Sequence, residues 1–201
     1  MECLSQVQID KGYIGGTDVS YTGAQGVACA VLLSFPEASL VEKSICFGAQ
    51  EFPYIPGFLA LREGEICLRA IKGLQRKPDL LFVDGAGIAH PFSFGLATFL
   101  EEELQIPTIG VTKKPFVGEF QEPAQERGSF TFIYLKGKKV GAVLRTKKGA
   151  RPIYVSPGGL LSVEEVVRWT LLLSQFRKPE PLRLAHHFSR LICLERKEGA
   201  S

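Results

Sequence analysis

The chain has 201 residues, 45% of them apolar and 22% charged, which is enough for one α/β domain with its own core and too apolar for a disordered segment. No apolar run reaches the length of a membrane span and Met1-Glu2-Cys3 does not open a secretory signal, so a single cytoplasmic domain is expected, with loose ends at about residues 1–10 and 197–201. The net charge of +3 excludes little, but the five scattered cysteines (Cys3, Cys29, Cys46, Cys67, Cys193) include no Cys-x-x-Cys pair and so predict reduced, mostly buried thiols, with neither a zinc site nor a disulfide framework.

Ile14-Gly15-Gly16-Thr17-Asp18 reads as a short buried strand that closes on a carboxylate. Residues 26–34 (GVACAVLLS) form a near-continuous apolar run, the pattern of a central strand buried on both sides. Residues 40–47 are a third strand. The turns around Thr22-Gly23 and Pro36-Glu37 are short, which makes the three an antiparallel meander. Phe52-Pro53-Tyr54-Ile55-Pro56-Gly57-Phe58 follows as a proline-stiffened aromatic loop. It is either a buried turn whose rings serve the core or an apolar wedge able to enter a base stack.

Residues 58–74 are helical, with Leu59, Ile66, Cys67, Ala70 and Leu74 on one stripe. Glu63 falls on that stripe, and a carboxylate on a buried face needs a partner. Arg62 or Arg69 would serve if Glu63 is a helix-edge residue; the carboxylates at the strand ends offer a functional reason instead. Residues 80–84 (LLFVD) are a buried strand ending in a second carboxylate, Asp84. The turn Gly85-Ala86-Gly87-Ile88-Ala89-His90 lacks the third glycine of a dinucleotide fingerprint, so its glycines are read as allowing close approach of a backbone to a ligand. His90 precedes a helix predicted over residues 91–103, and either caps that helix or contacts a phosphate or a water. Residues 108–112 form the next strand, with Lys113 and Lys114 at its end as a surface pair or as charge neutralisers for a phosphate.

Residues 130–135 and 140–144 flank Lys136-Gly137-Lys138-Lys139, a hairpin signal. Residues 127–163 contain no acid and eight bases (Arg127, Lys136, Lys138, Lys139, Arg145, Lys147, Lys148, Arg151), a field suited to a polyanion or a solvated hairpin face. Ser162-Val163-Glu164-Glu165 is a capping box that opens a last helix to about residue 176, ended by Pro179-Glu180-Pro181.

A meander followed by helix, strand, helix and strand is the order of a ribonuclease H-like fold: α/β, with a mixed central sheet of an antiparallel three-strand meander plus parallel strands, flanked by helices. In that topology Asp18 and Asp84 lie side by side at the carboxyl ends of adjacent parallel strands, where α/β proteins gather their functional groups, with the Glu63 helix crossing over them. Two such carboxylates repel; a divalent cation resolves the repulsion and activates water against a phosphodiester. The first expectation is therefore a metal-dependent phosphoryl-transfer enzyme.

The chain closely resembles the endonuclease V family. The resemblance is carried by Gly16-Thr17-Asp18-Val19-Ser20-Tyr21, by residues 54–63 (YIPGFLALRE), by residues 78–85 (PDLLFVDG) with Gly87-Ile88-Ala89-His90-Pro91, and by Phe94-Gly95-Leu96-Ala97. It continues through residues 106–111 (IPTIGV) with Lys113-Lys114, through Tyr154-Val155-Ser156-Pro157-Gly158, and through Arg177-Lys178-Pro179-Glu180-Pro181 with Arg183-Leu184-Ala185-His186, in order over nearly the whole chain. It implies a ribonuclease H-like endonuclease that uses Mg2+ (or Mn2+) to hydrolyse the second phosphodiester 3′ to hypoxanthine (inosine) in DNA, RNA being preferred by some members, as the first step of repair. By motif position Asp18, Glu63 and Asp84 would bind the metal, His90 and Lys113 would be catalytic or phosphate-contacting, and His186 would lie near the metal. Tyr54, Ile55, Pro56 and Gly57 match the family's wedge, while Gly57, Leu59, Gly85 and Leu96 match the pocket for a flipped base. The implied partner is nucleic acid; because no apolar span, heptad or unexplained apolar helix is present in the sequence, no membrane involvement and a monomer are expected.

The chain departs from the family pattern at a few places. Phe92-Ser93 stands where arginine is usual, Gly159 replaces the histidine of Ser-Pro-Gly-His, the helix before the first strand is nearly absent, and Glu101-Glu102-Glu103 is unusually acidic. Altered affinity or substrate preference is expected, with metal binding and cleavage retained. A ribonuclease H-like nuclease of other specificity would share the carboxylates without needing the wedge. A non-catalytic reader of modified nucleic acid fits the intact carboxylates poorly, and a Rossmann dehydrogenase lacks its acidic ribose ligand.

Overall fold

The computed structural model describes residues 7–49, 52–53 and 55–198. Strands β1 (Gly12–Thr22), β2 (Gln25–Phe35) and β3 (Leu40–Ala49) form the expected antiparallel meander, with Asp18 opposite Cys29. Helix α1 (Leu59–Lys72), strand β4 (Leu80–Asp84), helix α2 (Leu96–Leu104) and strand β5 (Thr108–Thr112) follow, and β4 and β5 run parallel to β1. Strands β6 (Phe130–Leu135), β7 (Lys138–Leu144) and β8 (Ile153–Pro157) add an antiparallel wing, before helices α3 (Val163–Leu172) and α4 (Glu180–Glu198). The eight-stranded sheet has the order β3-β2-β1-β4-β5-β8-β7-β6, so β1 and β4 are neighbours in its interior. This is a ribonuclease H-like α/β fold.

Strand periodicity explains the two layers on the sheet. Successive side chains of β2 alternate between faces. Ala28 and Ala30 pack under Ile66, Cys67 and Ala70 of α1, and α2 joins them there through Leu96, Ala97 and Leu100. Cys29, Val31 and Leu33 meet Ala185 of α4 on the opposite face. Under α3 lies the largest cluster, where Phe35 and Trp169 meet edge to face with centroids 5.3 Å apart. The capping box is present: Ser162 Oγ accepts from Glu165 N–H, and the Glu165 carboxylate accepts from Ser162 N–H.

Several expectations are corrected. β1 does not end at Asp18; it continues to Thr22 because β2 goes on pairing with it after β4 has stopped. α2 begins at Leu96, not at Pro91, because Pro91–Ser93 form turns and Ser93 adopts a positive φ of 52°. The predicted last helix is α3, which ends at Leu172 rather than at about residue 176, and a further helix that was not expected, α4, starts behind Pro179, with Pro181 in its first turn, where a missing N–H leaves no hydrogen bond unmade. β8 has no counterpart in the sequence reading, since Ile153–Pro157 is too short and too mixed to stand out as a strand. Val7 and Ile9 pack on the core, Val7 N–H donates to Glu165 (2.9 Å), and Val7 C=O accepts from Arg168 (3.1 Å). Cys29, Cys67 and Cys193 are buried free thiols and Cys46 is half-buried, as expected; Cys3 lies outside the described residues.

Candidate active site

The register of β1 and β4 places the two carboxylates. Their last parallel pair is Thr17 with Val83, so Asp18 and Asp84 are the next residues on adjacent strands. Asp18 faces the α4 layer. Gly16, two residues earlier on the same face, lets α4 come close: a Cβ there would stand 2.5 Å from the Pro181 carbonyl. The first turns of α4 and the loop before it are thereby laid over Asp18. Asp18 Oδ1 accepts from Val19 N–H (2.9 Å), and Oδ2 accepts from His186 Nδ1 (2.7 Å) and Lys178 Nζ (3.3 Å). The same Nζ lies 2.6 Å from Asp84 Oδ2. One ammonium thus bridges both carboxylates.

The electrostatics follow from burial and from these bonds. Burial alone would raise the Asp18 pKa, but the His186 hydrogen bond and the Lys178 charge outweigh it and hold Asp18 below its ordinary value. Asp84 is raised, by burial first and then by the Asp18 charge, against partial relief from Lys178 and Lys113. Burial would lower Lys178, yet the two aspartates prevail and raise it.

Glu63 approaches from the α1 side of the sheet. Tyr21, on the β1 face that α1 covers, donates its hydroxyl hydrogen to Glu63 Oε1, and Arg62 Nε donates to the Tyr21 oxygen (3.1 Å). Burial, reinforced by the Asp18 and Asp84 charges, pushes Glu63 up to about 7 against the Tyr21 bond. Glu63 therefore senses the aspartate pair, Arg62 favours its charge from beside the Tyr21 hydroxyl, and Arg69 pairs with Glu65 at 3.6 Å. Among the described residues no three His, Cys, Asp or Glu side chains are disposed as a metal cluster. What the carboxylate pair encloses is the Lys178 ammonium.

Two cavities flank the end of β5. The larger, about 470 Å3, is lined by Ile55, Gly57, Leu59, Gly85, Leu96 and His90, with Phe116 as a further wall. It gathers the residues expected for a base pocket. Pro56 is exposed beside it, and Tyr54 lies outside the described residues. The smaller cavity, about 230 Å3, is lined by Asp84, Arg177, Lys178 and His186. Thr112 and Lys113 line both. Phe52, Ile55 and Phe58 are exposed and so do not serve the core. Phe92, which stands where the family usually has arginine, is 68% exposed, 6.0 Å from the Phe58 ring and 5.8 Å from His90.

His90 belongs to the large cavity and does not cap α2, which starts well after it. Its Nε2 donates to the Gly57 carbonyl (3.1 Å), its Nδ1 accepts from Phe92 N–H (3.3 Å), and the Phe116 ring lies 5.2 Å away, tilted by 47°. Burial lowers its pKa, only partly offset by the Gly57 bond, so the ring is neutral. His90 ties the loop at Gly57 to the turn after β4. Gly85 lines the cavity, but the close approach at Gly87 is to the protein itself: a Cβ there would stand 2.0 Å from the Pro157 carbonyl of β8.

Half of the basic stretch, Arg127, Lys139, Arg145 and Lys148, is engaged by its own chain. Arg145 is buried and donates to the Ala124, Pro123 and Ala150 carbonyls and to Glu122; Arg127 donates to carbonyls at the end of α3. Lys139 pairs with Glu164 and Lys148 with Glu126. Glu101 is likewise structural: it accepts from Thr108 N–H (2.8 Å) and Leu160 N–H (2.7 Å), and the Gly158-Gly159 turn packs against it.

Sequence reasoning missed Lys178 and Tyr21 as parts of the site. Both lie inside recognised motifs, but a lysine in a helix–helix loop and a tyrosine near a strand end carry no local sign of a carboxylate partner.

The sequence model of the Endonuclease V family matches residues 2–187. An Endonuclease V of Dictyoglomus turgidum is 44% identical over 188 residues, covering 93% of this chain and 82% of the relative. The crystal structure of the Endonuclease V from Streptomyces avermitilis superposes with a TM-score of 0.87 at 36% identity, over 94% of this chain and 84% of that one. That of Ciona intestinalis Endonuclease V, in complex with a 24mer DNA containing an inosine followed by a ribo-adenosine, superposes with a TM-score of 0.80 at 25% identity, over 92% and 87%. With its sheet order, its central pair of aspartates and a family match over nearly its whole length, this chain belongs to the endonuclease V family of endonucleases.

Proposed function

We propose that this endonuclease recognises inosine in DNA and hydrolyses the second phosphodiester on the 3′ side, with Mg2+ or Mn2+ held by Asp18 and Asp84 and with Glu63 directly or through water. One observation carries the reading: Lys113 and Thr112 line both the carboxylate cavity and the apolar cavity, so a base held in one leaves its backbone at the other. The donor set suits the metal, because hard carboxylate oxygens favour Mg2+ and Mn2+, and Asp18 and Asp84 already converge on a single cationic position. Bound there, the ion would lower the pKa of a water and offset charge on the phosphate.

The chain's own groups do the rest. Ile55, Leu59 and Leu96 offer an apolar enclosure of a size usual for small ligands, and the glycine backbones at 57 and 85 bring peptide groups to its wall. The exposed apolar side chains at the cavity mouth, Ile55 and Phe58 among them, fill the space left by the extruded base. His90, neutral and bonded to Gly57, holds that loop in place. Lys113 neutralises the phosphate, and His186 orients Asp18.

The test is cleavage of end-labelled duplex DNA and single-stranded RNA, each carrying one inosine, with Mg2+ and with chelator. Metal-dependent cuts one nucleotide beyond the lesion's 3′ bond, absent from the guanosine control, are expected. Equal cutting of inosine and guanosine strands overturns the substrate, and undiminished cutting in chelator overturns the metal.

A further inference from the structure

We propose that Lys178 is a resident counter-ion of the Asp18–Asp84 pair, which a divalent cation must displace in order to bind. The inference rests on the reading above that these two carboxylates hold the metal. Its ground is geometric. Lys178 Nζ lies 2.6 Å from Asp84 Oδ2 and 3.3 Å from Asp18 Oδ2, so it occupies the one position that both carboxylates address. The side chain is only 20% exposed, and it enters from the loop between α3 and α4, independently of either strand.

The charges make this a competition. The aspartates carry two negative charges, and Lys178 leaves one uncompensated. A divalent cation compensates both, so it wins at sufficient concentration, but only after the ammonium has given up both contacts. Lysine suits an exchangeable role, because its charge is a point on a flexible four-carbon stem, whereas a forked guanidinium would lock onto the carboxylates. The displaced ammonium has somewhere to go: the 230 Å3 cavity beside it, lined also by Lys113, Arg177 and His186. Those neighbours are basic or neutral, so a nucleic-acid phosphate entering there would receive the released charge. Lys178 thereby keeps the metal-free pair together, weakens metal binding by the bare protein, and favours loading when a polyanion is present.

Mn2+ binding to the full chain without nucleic acid, measured by calorimetry, tests this directly. Lys178→Met is expected to bind Mn2+ at least about tenfold more tightly than the wild type, whereas Lys178→Arg, which keeps the charge and grips both carboxylates, binds no more tightly than the wild type. Mn2+ should also raise the melting temperature of Lys178→Met more than that of the wild type. Lys178→Gln carries the same expectation should the methionine variant fail to fold. Equal or weaker binding in the neutral variants, or equal tightening in Lys178→Arg, overturns the counter-ion role and leaves the metal site standing. Absence of binding in the wild type and the neutral variants alike, indistinguishable from Asp84→Asn, overturns the metal site and this inference with it.

Discussion

Tyr21 donates its hydroxyl hydrogen to Glu63, tying the third acidic residue to β1 from the side opposite His186 and Lys178. The bond favours the charged carboxylate in a place where burial and two aspartates oppose it. Glu63 is thus poised near neutrality, where a small change in its surroundings decides its charge.

Glu63→Gln is expected to stabilise the protein at neutral and alkaline pH while abolishing cleavage. Glu63 holds its proton up to about 7 in the fold, against an ordinary value of 4.5. Between those values the folded state binds more protons than the unfolded one, so Glu63 lowers stability as pH rises through that window, and its penalty is complete above it. Urea denaturation in chelator at about pH 8 should show a gain of at most on the order of 3 kcal/mol for the glutamine variant, shrinking to nothing near pH 4. A variant no more stable than the wild type at alkaline pH would mean that Glu63 is not buried as a charge.

Tyr21→Phe removes a donor that lowers the Glu63 pKa, so in chelator the pH window over which Glu63 costs stability should extend above its wild-type upper bound of about 7. Urea denaturation of the metal-free variant from about pH 5 to about pH 9 checks this. A window that stays in place, or moves down, removes the Tyr21 hydroxyl from the control of Glu63.

Asp84→Asn should reduce cleavage at least about a thousandfold, since half of the proposed cation site is lost. Asp84 closes β4 and packs no core cluster, so circular dichroism should be unchanged and the melting temperature within about 5 °C of the wild type. Normal cutting by this variant would remove Asp84 from the chemistry.

Lys113→Ala should lower the cleavage rate by about 10²–10³ with a much smaller loss of substrate binding, as befits a charge that acts on the phosphate at the shared wall of the two cavities. Single-turnover kinetics and gel-shift titrations separate the two. A loss confined to binding would make Lys113 a simple anchor.

Glu101→Ala should destabilise the fold by about 2–4 kcal/mol, because the Thr108 and Leu160 amides lose their acceptor inside the structure. Chemical denaturation measures it, and cleavage per folded molecule should persist. Stability within error of the wild type would show that water replaces the carboxylate.

The sequence by itself determined the order of elements from β1 to β5, the strand-borne carboxylates Asp18 and Asp84, the Glu63 stripe and the membership of the motifs, because hydrophobic period and glycine act over a few neighbouring positions. It missed β8 and the whole of α4, whose strand and helix identity rests on pairing with β5 and packing on β1, contacts made across long stretches of chain. Only the tertiary structure decided that His90 lines the apolar cavity and ties down the loop at Gly57, that Gly87 makes room for β8, and that Glu101 and Arg145 hold loops. It alone placed Lys178 between Asp18 and Asp84, at 160 and 94 residues' remove in the chain. Local pattern fixes which face a side chain takes; which distant charge meets it there depends on how the helices close over the sheet.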